Sequence, residues 1–114
     1  MGLHVHPDAR ALIFDLDGTL SNSLPVHVAT WHRVGEVYGF KFDPKIVYEM
    51  TGRPTIEFAR HIVERYGISA NPEEIVKLKQ RNFWDSAHLL EPVNEIISIV
   101  KAYHGKLPMA VGTG

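Results

Sequence analysis

Two carboxylates separated by one residue, Asp15 and Asp17, stand where a short apolar run ends: Ala11-Leu12-Ile13-Phe14 leads into Asp15-Leu16-Asp17-Gly18. In an extended segment, side chains at i and i+2 lie on one side. At the carboxyl end of a strand they occupy the place where open α/β sheets bind ligands. Hard oxygen donors of this kind suit Mg²⁺, which uses few carboxylates and keeps several waters. Such a cation would offset the repulsion between the two acids and an incoming phosphate. Asp-x-Asp-Gly also occurs in solvated turns and in calcium loops. The further acids of a calcium loop are missing here, because Leu20, Ser21 and Asn22 follow. Gly18 permits a sharp turn and Thr19 can hydrogen-bond within it. At the far end of the chain, Gly112-Thr113-Gly114 closes a second apolar run. Its hydroxyl and backbone N–H groups could meet the oxygens of the same anion.

The elements that must position these groups can be read from punctuation and periodicity. Ala11–Phe14 suits a buried strand, being short, continuous and ended by a glycine turn. Pro25 opens a helix in which Val26, Ala29, Val34 and Val37 recur up to Gly39. Asp43-Pro44 starts a short segment carrying Ile46, Val47 and Met50, broken at Gly52-Arg53-Pro54. Ile56, Ala59, Ile62, Val63 and Tyr66 mark a third helix closed by Gly67. Asn71-Pro72-Glu73-Glu74 combines a cap, a first-turn proline and first-turn acids, and predicts a fourth helix running towards Leu89. After Glu91-Pro92, the residues Val93, Ile96, Ile97, Val100 and Tyr103 give the clearest amphipathic repeat, stopped by Gly105. Leu107–Val111 reads as a second strand. The layout is strand, helical insert, helix, strand, and parallel outer strands would make one long right-handed crossover.

Composition narrows the function classes. Twelve basic and thirteen acidic residues give a formal charge of -1, so nothing points to nucleic acid or an anionic membrane as partner. No cysteine is present, which removes disulfides, thiol nucleophiles and thiolate metal sites and is compatible with the cytoplasm. No apolar run approaches the roughly 20 residues of a membrane span, and the start lacks a signal-peptide core. His4 and His6 have no supporting ligands and read as a disordered start.

Phe14-Asp15-Leu16-Asp17-Gly18-Thr19-Leu20 resembles the first motif of the haloacid-dehalogenase-like (HAD) hydrolase superfamily, and Val111-Gly112-Thr113-Gly114 resembles the region of its second motif. The helical insert matches the cap of the β-phosphoglucomutase-like subfamily in length and placement. The run from Tyr103-His104-Gly105 to Gly114 is similar to bacterial fructose-1-phosphate phosphatases of that subfamily. The resemblance implies an α/β fold: a partial Rossmann-like parallel-sheet core from residues 1–22 and 91–114, with an inserted helical cap at 23–90. It implies that Asp15 is the nucleophile forming an aspartyl-phosphate, and that Asp17 protonates the leaving alcohol and then activates water. Asp15 and the Asp17 carbonyl would hold Mg²⁺. Leu16, Asp17, Thr113 and Gly114 would hold the phosphoryl group. In the cap it points to His27, Trp31, Gly52, Arg53 and Lys79 as substrate contacts. Three of them also have plain readings: His27 as a helix-surface histidine, Trp31 as a core tryptophan and Lys79 as a solvated lysine.

The expected activity is a phosphatase acting on a small sugar phosphate, with no nucleic-acid or membrane partner. A phosphomutase is the near alternative, and Thr55 stands where the mutases usually carry an arginine. Asn22 replaces a common aspartate. The superfamily's later lysine and acidic pair are expected beyond Gly114, so a chain ending there is expected to be a truncated or fragmentary form, inactive and poorly stable. A non-catalytic fragment or binding module is the rival of another class. Self-association through an unpaired strand edge is then conceivable.

Overall fold

The computed structural model describes residues 3–113. Its elements follow in the order β1 (Leu12–Asp15), β2 (Ser21–Asn22), α1 (Leu24–Tyr38), α2 (Lys45–Glu49), α3 (Thr55–Tyr66), α4 (Pro72–Asp85), β3 (Glu91–Pro92), α5 (Asn94–Tyr103) and β4 (Met109–Gly112), with a 3₁₀ turn at Ala87–Leu89. The described residues form two compact units, one comprising the chain up to Ser23 with Leu90–Thr113, the other Leu24–Leu89. No helix is long and apolar enough to cross a membrane among the described residues.

In the first unit, β1 and β4 pair in parallel, as the layout predicts, with Leu12 opposite Met109 and Asp15 opposite Gly112. The strand side chains alternate: Leu12 and Phe14 are half-buried while Ile13 is 79% exposed. Helix α5 supplies the connection to β4, and none of its residues is fully buried. A second, antiparallel ladder of two residues per strand joins Ser21 to Pro92 and Asn22 to Glu91. It is extended by the Val93 N–H donating to the Leu20 carbonyl at 3.0 Å. The sequence reading assigns no strand to these residues. Pro92 is tolerated because both strands of so short a ladder are edges. The start of the chain also departs from expectation: instead of disorder it makes a turn in which the Asp8 N–H donates to His6 Nδ1 at 3.1 Å.

The second unit is all helical and owns the apolar core. Trp31, Val34, Phe42, Ile46, Phe58, Ala59, Ile62 and Ile75 form one buried cluster. Trp31 lies flat on Phe58, with ring centroids 4.3 Å apart and 9° between planes. Helix ends follow the predicted punctuation. Asn71 Oδ1 accepts the Glu73 N–H at 3.1 Å, with Pro72 in the first turn. Gly67, at φ 60°, closes α3 through its N–H to the Val63 carbonyl. Helix α4 stops at Asp85, short of the predicted Leu89, because the Ser86 N–H is shared between the Asn82 and Phe83 carbonyls and the backbone tightens into the 3₁₀ turn. The α1–α2 connection is pinned to α3. The Asp43 N–H donates to the Tyr66 hydroxyl at 2.9 Å, and Arg65 meets the Asp43 carboxylate at 3.2 Å.

The return of the chain after α1 depends on Gly35. A Cβ there would fall 2.4 Å from the Phe40 carbonyl oxygen, and a backbone oxygen cannot step aside as a flexible side chain can. Gly35→Ala is therefore expected to destabilise the helical unit by about 1–3 kcal/mol, and Trp31→Ala by about 3–5 kcal/mol. Urea unfolding followed by helical circular dichroism checks both. An unchanged midpoint in either variant would contradict the packing described.

Candidate functional site

The site starts from the register of the parallel pair. Asp15 is the last residue of β1 and lies opposite Gly112, the last residue of β4, with Thr113 next along the chain. Gly112 has no side chain, so the space beside the Asp15 carboxylate on that face of the sheet is left open. The nearest atom to a Cβ at that position would be Ile13 Cγ2, at 3.7 Å. Asp15 and Thr113 are both exposed.

Beyond Asp15 the backbone does not stay extended, which corrects the simple i, i+2 picture for the two acids. The Leu16 carbonyl accepts three backbone N–H groups, from Thr19 at 3.2 Å, Leu20 at 3.1 Å and Ser21 at 3.0 Å. The Gly18 N–H donates to the Ser21 carbonyl at 2.8 Å. Gly18 sits at φ 75°, the left-handed region predicted for a sharp turn. Asp17 forms an isolated bridge with Ser21 inside this turn. Its carboxylate is exposed, yet Oδ1 accepts the Ser23 hydroxyl at 2.7 Å. Ser23 is 1% exposed and was not singled out from the sequence. Its only signal there is its place in the polar run Ser21-Asn22-Ser23 before Pro25.

The remaining predicted residues divide within the helical unit. His27 on α1 and Lys79 on α4 meet, with Lys79 Nζ 3.2 Å from His27 Nδ1. Phe83, one turn beyond Lys79, stacks on the His27 ring at 4.7 Å and lies 5.0 Å from the Lys79 ammonium. Lys79 is only 8% exposed, so the solvated-lysine reading gives way to a buried cation against a ring. An ammonium has only donors, so it donates to Nδ1 and leaves the proton of a neutral imidazole on Nε2. Trp31, by contrast, is 2% exposed in the core, so the substrate-contact assignment gives way to the packing one. Gly52 holds the α2–α3 turn at φ 84°, and exposed Arg53 lies 3.7 Å from Glu57. Gly114 lies outside the described residues. No group of three or more His, Cys, Asp or Glu suited to a metal ion occurs among the described residues.

The Lys79–His27 contact has a spectroscopic consequence. In Lys79→Met, which keeps the stem against Phe83 but removes the donor, the nitrogen-15 resonance of His27 Nδ1 is expected to shift as its hydrogen bond is lost. Imidazole nitrogen-15 spectra of the two proteins read this directly. An unchanged Nδ1 resonance would refute the contact.

Comparison with known proteins follows from this geometry. The profile of the family described as haloacid dehalogenase-like hydrolase matches residues 12–114. The fructose-1-phosphate phosphatase YqaB of Escherichia coli is 34% identical over 105 residues, covering 90% of this chain and 55% of that protein. A phosphorylated carbohydrates phosphatase of Thermotoga maritima is 29% identical over 108 residues, covering 91% of this chain and 50% of that protein. The chain thus spans about half the length of these relatives. A solved structure from Bacteroides vulgatus, provisionally described as a β-phosphoglucomutase, superposes with a TM-score of 0.75 at 25% identity, covering 94% of this chain and 46% of that one.

Proposed function

Because the chain belongs to the haloacid dehalogenase-like hydrolases, we propose that it carries the nucleophile and the acid/base of a Mg²⁺-dependent phosphatase for a small sugar phosphate. The observation that carries the reading is the convergence of Asp15, the Asp17 turn and Thr113 at the carboxyl end of one parallel strand pair. Ligands bind at that end of open α/β sheets.

In this reading an Asp15 carboxylate oxygen attacks phosphorus while the bond from phosphorus to the sugar oxygen breaks. Asp17 gives that oxygen its proton, so the sugar leaves as an alcohol. Asp17 then takes a proton from the water that attacks the aspartyl-phosphate, which returns Asp15 and releases inorganic phosphate. Splitting the reaction in this way replaces one difficult displacement with two easier ones. The N–H groups of Leu16 and Asp17, the Thr113 hydroxyl and Gly114 orient the phosphoryl oxygens, catalysis being mostly positioning and electrostatics. The donor set fits Mg²⁺: the Asp15 carboxylate and the Asp17 carbonyl are hard oxygens, and this ion needs only one or two carboxylates besides waters and substrate phosphate. When bound, Mg²⁺ supplies countercharge to the phosphate. His27 and Lys79, together with Gly52 and Arg53, are the candidates for contacting the sugar phosphate.

A phosphomutase is the second reading, favoured by the structural likeness to the Bacteroides vulgatus protein. Inorganic phosphate released without a bisphosphate primer separates the two.

The assay uses the complete gene product, since the relatives are about twice as long as this chain. Phosphate release from fructose 1-phosphate is expected to stop when EDTA removes Mg²⁺ and to return when the ion is restored. Asp15→Asn is expected to lower the rate about a thousandfold or more, as loss of a nucleophile does. Full activity in Asp15→Asn would remove the nucleophile assignment.

A further inference from the structure

Among the described residues, the largest side chain left in water is that of Trp84, 74% exposed near the end of α4. Tryptophan is deeply buried on average, so an exposed ring is the informative exception. It does not stand alone. Glu73, Lys77, Gln80 and Trp84 recur at intervals of four, three and four, which sets them in one line along the helix. All are exposed, as are Arg81 beside the line and His88 just past the helix end. The other side of α4 is the packed one, where Ile75 and Lys79 are buried within the helical unit.

We propose that this outer face of α4 docks a second copy of the chain, antiparallel, about a twofold axis passing between Gln80 and Arg81. The order of groups along the line is what selects a second copy. Lys77 and Trp84 are equally distant from that axis, and so are Glu73 and His88. A twofold contact makes each pairing twice, residue i meeting j and j meeting i. Antiparallel docking therefore brings the Lys77 ammonium of each copy to the Trp84 ring of the other, and an indole face is the best aromatic partner for a cation. It also sets the acidic start of α4 at Glu73 alongside the basic His88 beyond its end. Parallel docking would oppose Lys77 to Lys77 and Glu73 to Glu73, and such juxtaposed like charges are costly. The helix dipoles are opposed in the first arrangement and aligned in the second. Trp84 and Arg81, near the axis, belong to the residue types that anchor interfaces. A single helix face is smaller than the roughly 1,200–2,000 Å² of a standard stable interface, so the dimer exchanges with monomer. The contact is independent of the phosphatase reading, because it uses the side of α4 turned away from Lys79.

Sedimentation velocity of the complete gene product over a concentration series reads the association. The wild type is expected to show a monomer–dimer equilibrium. Trp84→Ala is expected to weaken it by about thirtyfold, the effect of losing a central aromatic anchor, and Lys77→Glu by about tenfold. Both side chains are exposed, so neither change disturbs the fold, which circular dichroism checks. Cysteines, which these 114 residues lack, read the register separately. With a short bis-maleimide, Gln80→Cys is expected to join its own copy across the axis. Glu73→Cys is not, because its copy lies about 20 Å away along the antiparallel pair. Peptide masses after digestion identify the linked positions. A monomer at every concentration would overturn the proposal and leave the face to a partner of another kind. A dimer that Trp84→Ala and Lys77→Glu leave unchanged would overturn it as well. Cross-linking at Glu73→Cys in place of Gln80→Cys would overturn the antiparallel axis. None of these readouts involves phosphate release, so a failed phosphatase assay leaves the docking face standing.

Discussion

The constraint on which the site depends is the parallel register that sets Asp15 against Gly112. Parallel strands run in the same sense, so their carboxyl ends finish together, and whatever follows each strand is delivered to one place. Had the pairing slipped by one residue, Asp15 would face Val111 or Thr113 instead. A side chain would then fill the space that Gly112 leaves beside the carboxylate. The register is supported at the other end of the ladder by the Leu12 N–H donating to the Pro108 carbonyl at 2.9 Å. The turn that carries Asp17 can form only because β1 ends where it does: the Leu16 carbonyl, one residue beyond the strand, gathers three N–H groups. Strand end, turn and the placement of Asp17 are consecutive consequences of one pairing.

The two units hold their shapes by different means. Among the described residues, every fully buried apolar side chain belongs to Leu24–Leu89. Stacked rings and branched aliphatic residues there form the dense interior that makes single methylene changes costly. The strand-bearing unit has no such interior. Ile13 and Val111 are 79% and 55% exposed, although parallel strands are ordinarily covered on both faces. Asp15 and Asp17 stand on hydrogen-bonded backbone, the strand pairing for the one and the closed turn for the other, and Ser23 adds a bond to Asp17 Oδ1. Such bonds are directional, whereas apolar packing is not.

Much of this was legible in the sequence, for identifiable reasons. Gly39, Gly67 and Asn71-Pro72 act locally, so the helix limits they predict agree closely with those found. The apolar runs ending at Asp15 and Gly112 announced two strands, and the long interval between them announced a parallel crossover. What escaped depends on partners distant in the chain. The β2–β3 ladder joins residues about seventy positions apart and has no periodicity to betray it. Helix α4 stops early although Leu89 and Leu90 continue an apolar pattern, because the end is set by how the Ser86 N–H is shared. Ser23 was invisible because its bond to Asp17 spans six residues and exists only once the turn has closed.

Lys79 shows why residue type alone misleads at a site of this kind. Lysine is almost never fully buried unless paired, which is why solvation is the ordinary expectation for it. Burying an ammonium carries a desolvation penalty of several kcal/mol, and its contacts with His27 Nδ1 and the Phe83 face recover part of it. An apolar residue of similar length could fill the same space without that penalty. Donation from Lys79 engages His27 Nδ1, and stacking on Phe83 sets the plane of the ring. Together these contacts hold the imidazole against α4 with one of its nitrogens occupied, which is an arrangement that residue type and spacing alone do not announce.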